Sequence, residues 1–373
     1  MPRMLVLALF LAGLGLAQDR KVVVYVSLDE EHARTILEAF ERSSGIKVQP
    51  LFDTEDNKTV GMVGRIIAEK ASPVADVYWN NECAQTLRLK SQGLLQAYIS
   101  PNAASIPDHY KDAEGYWTGF AARARVLVWN KTMLSEAELP QRLSDFADPK
   151  FRGKVAMAKP LTGTTLTHAG VLYARNGAAP TENLLKEFIA NGVRFERGNG
   201  QVARIVSEGV VACGLTDTDD VSVKQREGLP VGMKFLDQGA GDAGTLVIPN
   251  SVMILKGAPH LAEAKVLVDA LLSMETEAQL ARGASAQIPL HPGVAGPEGV
   301  PTEFSSMKVD FAAAAREIDN HKLDLERMFG GATPTPTGAA SSSDSTILYM
   351  AIAALALALG FLWLGFKRRS NAA

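Results

Sequence analysis

The chain has 373 residues, with 38 Lys and Arg against 41 Asp and Glu and a formal charge of −3. A nearly balanced charge, with no basic stripe interleaved with aromatics, argues against nucleic acid as a partner. The two cysteines, Cys83 and Cys213, are too few for a disulfide framework and read as two separate buried thiols.

In chain order, residues 1–17 carry one early charge at Arg3, an apolar run from 4 to 16 and a small-residue end at Leu16-Ala17, the build of a signal peptide. The run is shorter than the roughly 20 residues a membrane crossing needs, so it reads as a cleaved segment. No cysteine stands nearby to take a lipid.

The body, 18–329, is long enough for two domains of normal size. Its opening, KVVVYV at 21–26, is apolar and β-branched and predicts a buried strand. Ala33, Ile36, Leu37 and Phe40 then recur at helical spacing over 30–43. A strand at 46–51, a helix at 62–70, a strand at 75–79 and a helix at 83–92 closed by Gly93 complete a βαβαβ rhythm. Such a rhythm calls for a parallel sheet covered on both faces. Ligands in such sheets bind beyond the strands' carboxyl ends, which draws attention to Ser27, Asp29, Glu30, Asn80, Asn81 and Glu82.

A second half opens near Trp117. It predicts strands at 124–130, 154–157 and 212–216, helices at 165–176, 181–191 and 201–208, an extended return at 244–255 and a helix at 261–272. The fold class expected is therefore α/β with two lobes. One comprises 18–116 with 244–274, the other 117–238 with 285–329, and the chain crosses between them more than once.

After the body, 330–346 is rich in Gly, Pro, Ser and Thr and reads as a flexible linker. Residues 347–366 form an uncharged apolar run of membrane-spanning length, followed by Lys367-Arg368-Arg369 as a stop-transfer signal. The expectation is a C-terminal transmembrane helix anchoring an exported ectodomain, periplasmic or at the cell surface, with 367–373 as a cytoplasmic tail too short for a signalling domain. A processed sorting signal would have the same pattern.

An enzyme is the competing class. The six histidines, His32, His109, His168, His260, His291 and His321, form no HxxxH pair, and there is no GxSxG, P-loop or strand-following GxGxxG. Only His168 stands near the expected cleft, and with no adjacent nucleophile it reads as structural.

The segments VYVSLDEEHARTILEAFERSSGIKV, SPVADVYWNNE, GFAARARVLVWN, LSDFADPKFRGKVAMAKPLTGTT and NGQVARIVSEGVVACGLTD, in this order and spacing, resemble the ferric-iron class of periplasmic solute-binding proteins over about residues 21–292. The resemblance implies a two-lobed type II binding fold that closes on a ligand in the interlobe cleft. It also implies a monomer that delivers its ligand to an ABC permease and ATPase, with no cofactor beyond the transported ion and a synergistic anion. An anion would sit on the helix N-terminus at Thr162, Gly163, Thr164 and Thr165, with Asn199 and with Arg123 or Arg125 as partners. Those same threonines could equally be ordinary helix caps.

The sequence departs from the class at 215–220. Where iron-binding members carry two tyrosines, this chain has Asp219 and Asp220, with Asp217 beside them. Clustered carboxylates repel unless a cation or donors sit among them. Asp217, Asp219 and Asp220 with Asp29, Asn81 and Glu82 are the candidate ligands, and Asp219 and Asp220 the candidate metal residues. Oxygen ligands suit Fe(III), Ca, Mg or Mn. The same loop could hold the ammonium group of a polyamine, thiamine or an aminoalkylphosphonate, or be a plain acidic turn.

Overall fold

A computed structural model describes residues 20–53 and 59–330. Residues 1–17, 331–346 and 367–373 of the expected export, linker and tail segments lie outside the described residues. So does 347–366, and the fold class is corrected at that point. Among the described residues no helix is long and apolar enough to cross a membrane, and the fold class these residues show is α/β alone.

Ten strands form one sheet among the described residues, in the order β2-β1-β3-β10-β5-β8-β6-β7, with β4 added on β10 and β9 on β5. In its first group β1 (Lys21–Val26) lies between β2 (Lys47–Phe52) and β3 (Val77–Asn80), both parallel to it, and β10 (Val247–Leu255) runs antiparallel to β3 and to the short β4 (Leu95–Gln96). In the second, β8 (Cys213–Asp217) pairs in parallel with β6 (Val155–Ala158), which pairs in parallel with β7 (Arg194–Glu196).

The element joining the groups is β5 (Thr118–Asn130), 13 residues long and buried at every position. Its first half pairs with β10, its second half with β8 and with β9 (Val231–Phe235), all antiparallel. A strand buried at every position has no solvent face and must be covered on both sides. Its register against β10 shifts between Ile248 and Asn250, and Ala121 takes φ of 44°, a left-handed value that costs a non-glycine residue about 1 kcal/mol or more.

The helices follow the strands. In the first half these are α1 (Glu30–Ser44), α2 (Val60–Ala68) and α3 (Ala84–Ser91); in the second, α4 (Gly163–Asn176), α5 (Ala178–Ala190), α6 (Asn199–Ser207) and α7 (Thr218–Arg226). Then come α8 (Leu261–Leu271), α9 (Met274–Arg282) and α10 (Phe311–Phe329). The buried residues of α1 are Ala33, Ile36, Leu37 and Phe40, the stripe its spacing predicts. α10 lies along α4 and α3. It approaches α4 closely at Gly170, where an added Cβ would meet Ala314 O at 2.6 Å and Ile318 Cγ1 at 2.7 Å. Cys83 and Cys213 are both free and buried.

The strained turn of β5 is held by one carboxylate. Glu277, on α9 and fully buried, accepts the backbone N–H of Ala121 at 2.7 Å, of Leu290 at 2.9 Å and of His291 at 2.8 Å. Each buried N–H left unpaired costs about 1–3 kcal/mol. Glu277→Leu should therefore lower unfolding free energy by roughly 3 kcal/mol or more, read as a fall in the urea midpoint. A loss under about 1 kcal/mol would mean that other groups satisfy those donors.

Candidate functional site

The parallel strands β1 and β3 of the first group and the parallel strands β6, β7 and β8 of the second end at one solvent-open pocket. The residues just past their ends line it: Leu28 and Asp29, Asn81, Thr162 to Thr164, Arg197 to Gly200, and Asp217 with Asp219 and Asp220. Arg123, from the middle of β5, completes the lining. The wall of Leu28, Asp29 and Asn81 comes from the first half of the chain, and the rest of the lining from β5 onward.

Asp29, Asn81, Arg123, Thr162, Gly163, Thr164, Asn199, Asp217, Asp219 and Asp220, all predicted from the sequence, meet here. Glu82 and Thr165 stand behind the wall. Glu82 is fully buried and accepts the N–H groups of Ala84 at 2.6 Å and Gln85 at 3.0 Å, the Asn80 amide at 2.8 Å and the Thr167 hydroxyl at 2.6 Å. Burial raises its pKa and these donors oppose the rise, so the carboxylate serves the turn into α3. Thr165 donates to Asn199 Oδ1 at 3.0 Å.

The acidic segment is not a loop. Asp217 is the last residue of β8 and the N-cap of α7, and Asp219 and Asp220 lie in that helix's first turn. Asp220 accepts the Thr216 hydroxyl at 2.6 Å and reaches back to the Asp217 N–H at 3.3 Å, closing a capping box. Acidic residues are favoured there by the helix dipole and by N–H groups no carbonyl can reach.

Each of the other two carboxylates meets an arginine of β5. Arg125 and Asp217 are direct cross-strand partners, 2.7 Å apart, and Arg123 Nε reaches past the end of β8 to Asp219 at 2.9 Å. Arg123 also donates to the backbone oxygen of Asn81 and, at 3.3 Å, to Asn250 Oδ1, and so ties the two walls together. Asp217 Oδ2 further accepts the Thr164 hydroxyl at 2.5 Å and the Asn199 amide at 3.0 Å. The threonine and asparagine that the resemblance assigns to an anion are thus already engaged by a carboxylate of the chain.

The three aspartates still bring one carboxylate oxygen each to within 4.8 Å of one another. Burial raises the pKa of Asp219 against the lowering pull of Arg123; burial, then Asp219 and Asp217, push Asp220 well up. Across the pocket, Asn81 Oδ1 is buried with no hydrogen-bond partner among the described residues. Arg197, Gly198 and Gly200 went unnoticed in the sequence; the Gly-Asn-Gly at the start of α6 was the available signal. His32, on α1, is close enough for its charge to lower the pKa of Asp219.

A two-group α/β sheet whose strands end at one polar pocket defines a binding protein of the two-lobed kind. Residues 80–314 match the family model described as bacterial extracellular solute-binding protein, and the chain belongs to that family. The family is one of transport receptors acting outside the cytoplasm, not of enzymes. The chain is 27% identical to the Fe(3+)-binding periplasmic protein of Serratia marcescens over 53% of its own length and 56% of that protein's, so the match spans little more than half of that relative. It is 26% identical to the major ferric iron-binding protein of Neisseria meningitidis serogroup B, over 73% of this chain and 82% of the other. The crystal structure of iron-bound HitA from Pseudomonas aeruginosa superposes with a TM-score of 0.74 at 25% identity, covering 82% of this chain and 99% of that one.

His168, in the second turn of α4, is held neutral: burial first, and then the Arg125 charge, push its pKa from 6.5 to about 3. The unfolded chain therefore binds a proton between about pH 3 and 6.5 that the folded chain does not, and stability falls as pH drops through 6.5. His168→Asn should flatten that acid limb, seen as a smaller fall in the urea midpoint from pH 7 to pH 5. Equal slopes in the two proteins would show that the imidazole protonates freely in the fold.

Proposed function

We propose that the chain is the extracytoplasmic receptor of an ABC importer, capturing Fe(III) or a ferric complex in this pocket and passing it to a permease driven by a cytoplasmic ATPase. The observation that carries the reading is the group of three carboxylate oxygens within 4.8 Å of one another where β8 turns into α7, in a chain whose relatives are iron-binding proteins by name. Hard oxygen donors without a thiolate or imidazole suit a hard cation.

In this reading Asp219 and Asp220 face the cation, while Asp217, locked by Arg125, Thr164 and Asn199, positions the turn. Asp29 and the unpartnered Asn81 Oδ1 close from the other wall. The first turn of α4 at Thr162 to Thr164 offers N–H groups and a dipole to a synergistic anion. The lobes that meet here are taken as 18–116 with 244–274 and 117–238 with 285–329. We place the receptor in the periplasm and working as a monomer.

The arginine pairs favour a second reading. Arg123 and Arg125 offset part of the acidic charge, which would leave a site better matched to one ammonium group than to a bare trivalent ion. A polyamine, thiamine or aminoalkylphosphonate would then be the cargo.

Elemental analysis and native mass spectrometry of the purified protein, followed by calorimetric titration with ferric citrate, Mn(II) and spermidine, separate the readings. Asp219→Asn with Asp220→Asn removes two charges at nearly constant volume. It should weaken ferric binding by about 2–5 kcal/mol, roughly thirtyfold or more, while Tm holds or rises. Binding of spermidine but not iron by the wild type would establish the second reading. Unchanged ferric affinity in the double variant would remove the aspartates from the site.

A further inference from the structure

Far from the cleft, His321 and Asp324 on α10 and Glu182 on α5 each bring a ligand atom to within 4.8 Å of the others. All three side chains are partly open to solvent, His321 at 18%, Asp324 at 36% and Glu182 at 29%. Beneath them lies Tyr173 of α4, whose ring stacks on the His321 imidazole at 4.1 Å and 5°. Tyr173 is 98% buried by its 2% exposure, and its hydroxyl has no hydrogen-bond partner among the described residues. Burial first, and then the charges of Glu182 and Asp324, raise the pKa of that hydroxyl.

The two nitrogens of His321 are differently engaged. Nδ1 faces Asp324 Oδ2 at 3.4 Å, while Nε2 faces Glu317 Oε2, one turn back on α10, also at 3.4 Å. A carboxylate behind a histidine's second nitrogen fixes the tautomer and ring orientation of a metal ligand. Lys186 contacts only Oε2 of Glu182 and Arg327 only Oδ1 of Asp324, and both long side chains are well exposed.

We propose that Glu182, His321 and Asp324 form a second, divalent transition-metal site, with Glu317 orienting the histidine and the Tyr173 ring stacked against it. One imidazole nitrogen and two carboxylate oxygens with an open position match the donor set of Zn(II) and of Co(II) in its place. Tyr173 is ten residues from Gly163, so at 1.5 Å per residue the site lies roughly 15 Å along α4 from the pocket. A metal here would clamp α10 onto the α4–α5 pair.

The test uses the full chain, stripped with chelator and titrated with Zn(II) by calorimetry, beside a Co(II) titration followed by absorption and X-ray absorption spectroscopy. Asp219→Asn with Asp220→Asn disables the cleft and should keep one Zn(II) per chain, with one imidazole among the ligands. His321→Ala should lose that ion. Glu317→Gln should weaken it on the order of 10–100-fold. Should His321→Ala not fold, Glu182→Gln with Asp324→Asn, both at the surface, must abolish the same ion. Absence of Zn(II) from the cleft-disabled protein, or binding that persists unchanged in His321→Ala or in the Glu182→Gln, Asp324→Asn double variant, overturns the proposal.

Discussion

The pocket depends on two arginines placed two residues apart on one strand. Alternation along β5 puts Arg123 and Arg125 on the same face, and the antiparallel register with β8 sets Arg125 opposite Asp217. One residue beyond the end of that pairing the chain turns into α7, which carries Asp219 to Arg123. Buried guanidinium groups demand partners, since an unpaired buried charge costs several kcal/mol. The aspartates in turn would repel one another without them. Removing either arginine would strand an acid, and removing an aspartate would strand a base, so the pairs hold the strand end, the helix start and the cross-wall contact to Asn81 as one unit.

That arrangement limits what the acidic segment can do alone. Asp217 has accepted three donors and is nearly saturated. Asp220 has two, the Thr216 hydroxyl and the Asp217 N–H, within its own helix turn. Asp219 has one oxygen on Arg123 and the other on the N–H of Asp220, and remains partly open to the pocket. The segment is thus both the structural start of α7 and the acidic wall of the cleft. Neither role can be read without the other.

The alternation of strands and helices was legible because it rests on local periodicity: KVVVYV is β1 residue for residue, and the stripe of α1 is the one its spacing predicts. The convergence of strand ends was legible too, since it follows from parallel topology. What could not be read is pairing over distance. Arg123 and Asp219 are 96 residues apart, and Arg125 and Asp217 are 92 apart, joined only by a register that local pattern does not contain. Hence Arg123 read as an anion partner while the fold gives it to Asp219. Asp217 to Asp220 read as a loop because three acids in four residues have no helical periodicity, although Asp is well suited to an N-cap and first turn. Glu82 read as a ligand because nothing in NNE shows which carboxylate turns inward under α3. β7, only 3 residues, escaped for want of length, and β9, VGMKF, for want of a continuous apolar run.

The helix ends add a constraint of their own. α4, α6 and α7 all begin at the pocket, and each N-terminus favours negative charge through its free N–H groups and its dipole. Asp217 and Asp220 answer that preference from within the chain. The start of α4, where Gly163 takes φ of 58° and Thr162 makes no side-chain cap, lines the same pocket. Anion-favouring helix ends and cation-favouring carboxylates therefore lie side by side on one wall, a few ångströms apart. A lone cation would leave the helix ends unanswered, and a lone anion would be repelled by Asp219. Under the proposed iron reading a metal ion with its anion would answer both, and under the second reading an aminoalkylphosphonate would.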